Sequence, residues 1–163
     1  GEGMERINRI VDHEKYQAHL SEIGELERGR LFCKHQMGHF LSVARIAMLI
    51  KAEEGLLVEK ELIYAAALLH DIGRGLQYQT GVPHEQASAE IAADILADCF
   101  FDERETSEIT QAILCHRDPK SAGLGGLSGL LYRADKLSRD CFCCEAKDKC
   151  DQPLASRTLK ISY

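Results

Sequence analysis

A histidine and an aspartate stand side by side at the end of an apolar run in this sequence. His70 and Asp71 follow the run 62–69, and Gly73 comes two residues later. A neutral imidazole offers one nitrogen to a metal ion, and a carboxylate offers two oxygens, one of which can bridge to a second ion. Burial of such a pair costs free energy unless another group compensates it. The pair therefore predicts polar partners elsewhere in the chain.

Four more candidates for metal ligation fall on the apolar faces of predicted helices. They are His39, His84, His116 and Asp135. Taken singly, each could be a hydrogen-bonded core residue or part of an ion pair at a helix end. Because the burial of so many titratable groups without a shared partner would be very destabilising, the joint pattern predicts bound metal. Six nitrogen and oxygen donors exceed the four of a zinc site, so we expect two ions of Fe²⁺, Mn²⁺, Co²⁺ or Mg²⁺ that share Asp71.

The elements that position these residues are predicted to be helices. Apolar residues recur with helical spacing, prolines are few, and no stretch alternates as a strand would, so the fold class is all-α. The pattern predicts one or two helices over 5–28, then helices over 31–54, 59–72 and 84–101, one that ends before Pro119, and one that contains 127–136. Gly55 is expected to cap the second of these, and Asp102 with Glu105 to form a capping box. Residues 74–83 are expected to form a loop that controls access to the site, and residues 121–129 a mobile loop.

Length, charge and cysteine content restrict the possible partners. The chain has 163 residues, enough for one domain with a sizeable core. Its formal net charge of −6 makes a nucleic-acid backbone an unlikely main partner, and no apolar run approaches the length of a membrane span. The polar start 1–4 does not resemble a secretory signal, and seven cysteines then favour a reducing compartment. We therefore expect a cytoplasmic protein.

The order of the six candidate ligands resembles that of the HD-domain metal-dependent phosphohydrolases. The matching local strings are HFLSVAR at 39–45, ALLHDIG at 67–73, His84 with Ala87, HR at 116–117 and RADK at 133–136. The likeness covers about residues 35–140. With two extra histidines between the His-Asp pair and the last aspartate, the pattern resembles that of the dinuclear subgroup. This subgroup includes bacterial hydrolases that split diadenosine tetraphosphate symmetrically.

This resemblance implies a domain plan and a division of the ligands. The fold would be a single-domain helical bundle of about six to eight helices, with residues 1–30 as a helical extension packed on the domain, 31–140 as the metal-binding domain and 141–163 as a cysteine-rich tail. One metal would be held by His39, His70, Asp71 and Asp135, and the other by Asp71, His84 and His116. A water or hydroxide that bridges the metals would attack phosphorus.

The implied activity is hydrolysis of a phosphoanhydride or phosphoester bond in a nucleotide or dinucleoside polyphosphate. Arg74, Arg117 and Lys136 flank the ligands and are candidate phosphate contacts, although each could be ordinary surface charge. The family often has lysine where this chain has Arg74. Two alternatives stay open: a di-iron oxygenase of the same superfamily, and a non-catalytic module that senses a nucleotide or a metal.

The cysteines suggest a second centre. Cys141, Cys144 and Cys150 have C-x₂-C-x₅-C spacing, and Cys33 could supply a fourth sulfur. We expect either a structural zinc or iron–sulfur site that joins the tail to the second helix, or unliganded thiols or a disulfide. His35, one turn before His39, is expected to support a ligand or face the substrate.

Overall fold

The computed structural model describes residues 3–30, 33–139, 141–154 and 157–163. Within these ranges every regular element is helical, which confirms the all-α prediction. The α-helices are α1 (Glu5–Asp12), α2 (Glu14–Leu26), α3 (Met37–Glu54), α4 (Lys60–Leu69), α5 (Arg74–Thr80), α6 (His84–Asp98), α7 (Glu103–Cys115) and α8 (Gly126–Leu137). Short 3-10 helices span Pro119–Gly123, Cys141–Cys143 and Lys147–Lys149. No helix in the described ranges is both long and apolar enough to cross a membrane.

Helix α4 forms the centre of the core. Leu62, Ile63 and all residues from Ala65 to Leu69 are buried, and α4 contacts α1, α3, α6, α7 and α8. A helix that is apolar on nearly every side must be enclosed by its neighbours. Polar groups can therefore stand only at its ends, and the next residue after α4 is His70.

The predicted capping residues end and begin helices as expected. Gly55 closes α3 with φ of 65°, and its N–H donates to the carbonyl of Lys51. At the start of α7, the Asp102 carboxylate accepts from the Glu105 N–H at 2.8 Å, and the Glu105 carboxylate accepts from the Asp102 N–H at 3.0 Å. These local signals place the ends of two helices that carry candidate ligands.

The predicted access loop over 74–83 is wrong for most of its length. Residues 74–80 form α5, which ends at Gly81 with φ of 78°. Glycines and a threonine gave little reason to expect a helix here. Tertiary packing forms it instead, because α5 lies between α2 and α6 and its Gly75 is buried against Glu22.

The loop predicted over 121–129 is helical for most of its length, and α3 starts at Met37, later than predicted. Residues 31 and 32 of that predicted helix lie outside the described ranges. A 3-10 helix begins at Pro119, the Ser121 hydroxyl donates to the carbonyl of Cys115 at 2.7 Å, and α8 starts at Gly126. Residues 33–36 are not helical, because Glu27 accepts the His35 N–H at 2.6 Å and so holds this segment to the end of α2.

The first turn of α8 packs closely against the backbone that precedes the helix. A Cβ added to Gly129 would lie 1.8 Å from the carbonyl oxygen of Leu124. We expect Gly129→Ala to lower the free energy of unfolding by about 2 kcal/mol, because the chain must move to admit the methyl group. Gly24→Ala is the matched control, since no atom lies within 4 Å of its Cβ position, and it should be neutral or stabilising. Chemical denaturation measures both, and equal stability of the two variants would contradict the expectation.

Buried and half-buried polar contacts hold α1 and α2 against α4 and α7. The Arg6 guanidinium donates to the carboxylates of Glu61 in α4, at 3.0 Å, and Glu105 in α7, at 2.8 Å. The fully buried Tyr16 hydroxyl of α2 donates to the carbonyl of Leu68 at 2.9 Å. Helix α2 is thereby fixed near the end of α4, two residues before His70.

The contact between Arg6 and Glu105 predicts a pH dependence of stability. The hydrogen bonds from Arg6 lower the pKa of Glu105 from 4.5 to about 2. A carboxyl whose pKa is lower in the folded state stabilises the fold above its unfolded pKa and loses that contribution as the pH falls. We expect Glu105→Gln to cost about 2 kcal/mol at pH 7 and little at pH 2, measured by urea denaturation across that range. Glu108→Gln, at an exposed helix pair, should change little at either pH. An equal loss at both pH values would mean that the charge is not responsible.

Candidate metal centre

Five helix ends converge on one buried polar cluster. His70 and Asp71 follow α4, while His116 directly follows α7. The first turn of α3, the first residue of α6 and the last turn of α8 contribute His39, His84 and Asp135. All six predicted ligands are thus brought together, because each stands where an apolar helix face meets the end of its helix.

The first group of donors lies around the Asp135 carboxylate. Asp135 Oδ1 is 3.3 Å from the Nε2 atoms of both His39 and His70. His70 Nε2 is in turn 3.2 Å from Asp71 Oδ2. These four residues each offer a donor atom within 4.8 Å of the others and could hold one metal ion.

The second group lies on the other side of Asp71. Asp71 Oδ1 is 3.2 Å from His84 Nε2 and 3.3 Å from His116 Nε2. These three residues form a second set that could hold a metal ion. The Asp71 carboxylate therefore presents Oδ2 to the first group and Oδ1 to the second, as a bridging ligand would.

Hydrogen bonds to the chain fix the orientation of three imidazole rings. The Nδ1–H of His70 donates to the carbonyl of Ala67 at 2.7 Å. The Nδ1–H of His84 donates to Gln77 Oε1 at 2.8 Å, and that of His116 donates to the carbonyl of Ile113 at 2.6 Å. In a neutral ring with Nδ1 protonated, Nε2 carries the lone pair. All three Nε2 atoms point into the cluster, which is the arrangement of metal-binding histidines.

The inward atoms lack the partners that a buried polar atom requires. His84 Nε2 and His116 Nε2 lie 3.1 Å apart, and two lone pairs cannot form a hydrogen bond with each other. His70 Nε2 and Asp71 Oδ1 are buried without a hydrogen-bond partner. A cation would satisfy all four atoms, so this donor set fits divalent metal.

The charges of the cluster show the same need for a cation. Burial alone would raise the pKa of Asp71, but the charges of His70 and His35 hold it well below its usual value. Burial would lower the pKa of His70, but the nearby carboxylates raise it to about 10. Burial lowers the pKa of His84 to about 4, so this ring is neutral and ready to ligate. Metal binding would replace protons as the source of positive charge.

The predicted phosphate contacts lie at different distances from the cluster. Arg74 Nε is 3.6 Å from Asp71 Oδ1, and Lys136 Nζ is 3.1 Å from Asp135 Oδ2. Both side chains are 18% exposed, so they stand between the cluster and solvent. Arg117 is exposed and has no ion pair with the cluster in the described ranges, so its role stays a prediction.

The model of the HD domain family matches residues 37–146, which include all six clustered residues. The chain belongs to the HD domain family. An uncharacterized protein of Clostridium beijerinckii is 46% identical over 160 residues, which are 98% of this chain and all of that protein. A predicted HD superfamily hydrolase of an uncultured Thermotogales bacterium has a similar crystal structure, with a TM-score of 0.61, 26% identity, and coverage of 88% of this chain and 81% of that one.

The HD domain also has relatives among ribonucleases Y. That of Wolinella succinogenes is 30% identical over 130 residues, and that of Acetivibrio thermocellus is 27% identical over 160 residues. The matches cover 72% and 85% of this chain but 24% and 29% of those proteins. The chain therefore spans about a quarter of the length of these enzymes.

Tight packing against α6 places the His-Asp pair of this HD domain. The Gly73 N–H donates to Ser88 Oγ at 2.8 Å, and a Cβ on Gly73 would lie 2.5 Å from the backbone nitrogen of Ser88. Only glycine allows this approach. The turn after Asp71 is thereby pressed against the helix that begins with His84, which brings the two ligands together.

A buried carboxylate behind the site was not predicted. Glu27 is 1% exposed and lies 2.5 Å from His35 Nδ1, while Tyr78 donates to it at 2.6 Å. The other nitrogen of His35 is 3.7 Å from Asp71 Oδ2. His35 thus lies behind Asp71, where it could support a ligand, and that expected role stays a prediction. Burial alone would raise the pKa of Glu27, but the hydrogen bond and charge of His35 lower it instead. Glu27 stands in a charged stretch, where nothing in the sequence separates it from solvated neighbours.

The cysteines lie outside the two His/Asp groups. Cys99 is buried, and Cys115 is half-buried and accepts from Gln111 Nε2 at 3.3 Å. The four thiols of the predicted second centre lie on either side of these helices in the sequence. Cys33 precedes α3, and the other three follow α8 at Cys141, Cys144 and Cys150.

Proposed function

We propose that this HD domain hydrolyses a phosphoanhydride or phosphoester bond in a nucleotide or dinucleoside polyphosphate, with two divalent ions. The observation that carries the proposal is the position of the Asp71 carboxylate between two donor groups, with one oxygen toward each. In that position a single carboxylate can belong to two metal ions.

The two donor groups have the membership that the dinuclear subgroup implies. His39, His70, Asp71 and Asp135 would hold one ion, and Asp71, His84 and His116 the other. When bound, the ions would lower the pKa of a water molecule so that it can attack phosphorus as hydroxide, and their positive charge would stabilise the phosphoryl oxygens. Nitrogen and oxygen donors without thiolates favour Fe²⁺, Mn²⁺, Co²⁺ or Mg²⁺ at this centre.

The residues around the centre would bind the substrate. Arg74 and Lys136 are close enough to the cluster to contact phosphoryl oxygens. Their positive charge would stabilise the negative charge that develops on those oxygens during the reaction. Arg74 adds a planar fork of donors, which suits two oxygens of one phosphate. His39 is the most exposed of the predicted ligands, with 21% of its side chain accessible, so the substrate would approach from the ends of α3 and α8.

A substrate panel tests the proposal. Protein loaded with Mn²⁺ or Fe²⁺ is incubated with dinucleoside polyphosphates, nucleoside mono-, di- and triphosphates, and a short RNA, and the products are separated by chromatography. We expect the wild-type protein to release a nucleotide or phosphate from the small substrates, and we expect the His70→Ala variant to release none. Cleavage of RNA alone, consumption of oxygen in place of hydrolysis, or nucleotide binding without turnover would each contradict the proposal.

A further inference from the structure

The C-terminal residues 141–154 and 157–163 bury very little apolar surface. Among its described residues only Ala146 and Thr158 are buried. Hydrogen bonds within the segment fold it back on itself: the Phe142 backbone N–H donates to the carbonyl of Thr158 at 3.1 Å, and the Arg157 guanidinium donates to the carbonyl of Cys150. So little apolar burial does not offset the entropy lost when a segment of this length is ordered. Small folds of this kind depend on a disulfide or a bound metal.

The local backbone places two thiols on one side of a turn. Cys141 begins a 3-10 helix, and the Cys144 N–H donates to the Cys141 carbonyl at 3.3 Å. Side chains three residues apart eclipse one another in 3-10 geometry. A second turn follows at once, since the Lys147 N–H donates to the Cys144 carbonyl at 3.1 Å, and it leads to Cys150.

The fourth thiol comes from the other end of the domain. Cys33 lies in the non-helical segment that precedes α3 and is held there through the bonds of His35 to Glu27. Cys33 is exposed as a residue, but partial loss of water around its sulfur raises the pKa of the thiol; the charge of Arg139 lowers that pKa, and the charges of Cys141 and Cys144 raise it further. Geometry gives the same placement, because the start of α3 meets the end of α8 where His39 Nε2 lies 3.3 Å from Asp135 Oδ1. Cys33 stands six residues before that contact and Cys141 six residues after it, so both lie at this end of the two helices.

We propose that Cys33, Cys141, Cys144 and Cys150 form a four-thiolate metal site that binds a zinc ion or an iron–sulfur cluster. Each thiol would lose its proton to solvent as its sulfur binds the metal, with no change in oxidation state of the sulfur. The described thiols are not yet within 4.8 Å of one another as a group, so binding would draw the turn toward Cys33. The centre would join the segment before α3 to the segment after α8, which are the helices of His39 and Asp135. This site is independent of the proposed hydrolase activity.

Metal analysis in a variant without the His/Asp centre tests the site. The full chain with Asp71→Ala is purified without added metal, under reducing and oxygen-free conditions, and compared with Asp71→Ala/Cys144→Ser. We expect about one zinc per chain, or iron with acid-labile sulfide and visible absorption, in the first protein and none in the second. Asp71→Ala/Cys115→Ser is the matched control and should keep the metal, because Cys115 lies outside the set.

Cobalt gives a readout that does not depend on the native metal or on activity. Co²⁺ added to the apoprotein should produce the intense absorption of thiolate-to-cobalt charge transfer, which Cys144→Ser or Cys33→Ser should abolish. Circular dichroism reports whether each variant is folded, and an unfolded Cys144→Ser leaves Cys33→Ser to decide. Equal metal in the serine variants and their parent, no thiolate band with cobalt, or a disulfide among these cysteines in mass spectra of protein purified anaerobically would overturn the proposal.

Discussion

Replacement of Asp71 with alanine is expected to remove both metal ions and to abolish hydrolysis. Oδ2 of this carboxylate lies 3.2 Å from His70 Nε2 in the first donor group, and Oδ1 lies 3.2 Å from His84 Nε2 in the second. Loss of the shared ligand therefore weakens both sites, whereas the remaining histidines repel one another once protonated. Because bound metal supplies several kcal/mol of transition-state stabilisation, we expect turnover to fall at least about a thousandfold.

Two comparisons separate this effect from general damage to the protein. Asp98→Ala removes an exposed aspartate that pairs with His13 at 2.8 Å, and it should keep both ions and full turnover. His84→Ala affects only the second group, so elemental analysis should show about half of the wild-type manganese after loading. If Asp71→Ala retains two manganese ions per chain or normal turnover, the assignment of this carboxylate as a shared ligand is wrong.

Helical periodicity made the fold class and the convergence of the six polar residues predictable. Each of these residues lies on an apolar face or follows one, and burial of that face brings the polar side chain to the same interior. His116, for example, follows Ala112 and Ile113 at helical spacing, and all three are buried. Local chemistry was also sufficient for the cap at Gly55.

Features that depend on contacts distant in sequence could not be predicted in this way. Helix α5 has a poor helical sequence and forms between α2 and α6, while Gly129 packs against a carbonyl that precedes its own helix. Glu27 is the clearest case. Its burial results from the approach of His35 and Tyr78, and neither contact has a signature in the charged sequence around it.

Glu27 is expected to act through His35 on the geometry of Asp71. The Glu27 carboxylate accepts both the His35 backbone N–H and the imidazole Nδ1–H, so the opposite ring nitrogen is aimed at Asp71 Oδ2, 3.7 Å away. Replacement of a residue that orients a metal ligand commonly costs 10- to 100-fold in activity or metal affinity. We expect Glu27→Gln to lower kcat/KM by roughly 10- to 100-fold and to leave the fold intact, because glutamine keeps the shape of the side chain.

A double-mutant cycle distinguishes this positioning role from a structural one. If Glu27 acts only through the imidazole, Glu27→Gln should add little to the loss already caused by His35→Ala, since the two residues work as a unit. Glu25→Gln, which removes an exposed carboxylate from the last turn of α2, should leave both kcat and KM unchanged. Tyr78→Phe removes one donor to Glu27 and should cause a smaller loss than Glu27→Gln. Additive losses in the double variant would mean that Glu27 stabilises the end of α2 independently of the metal centre.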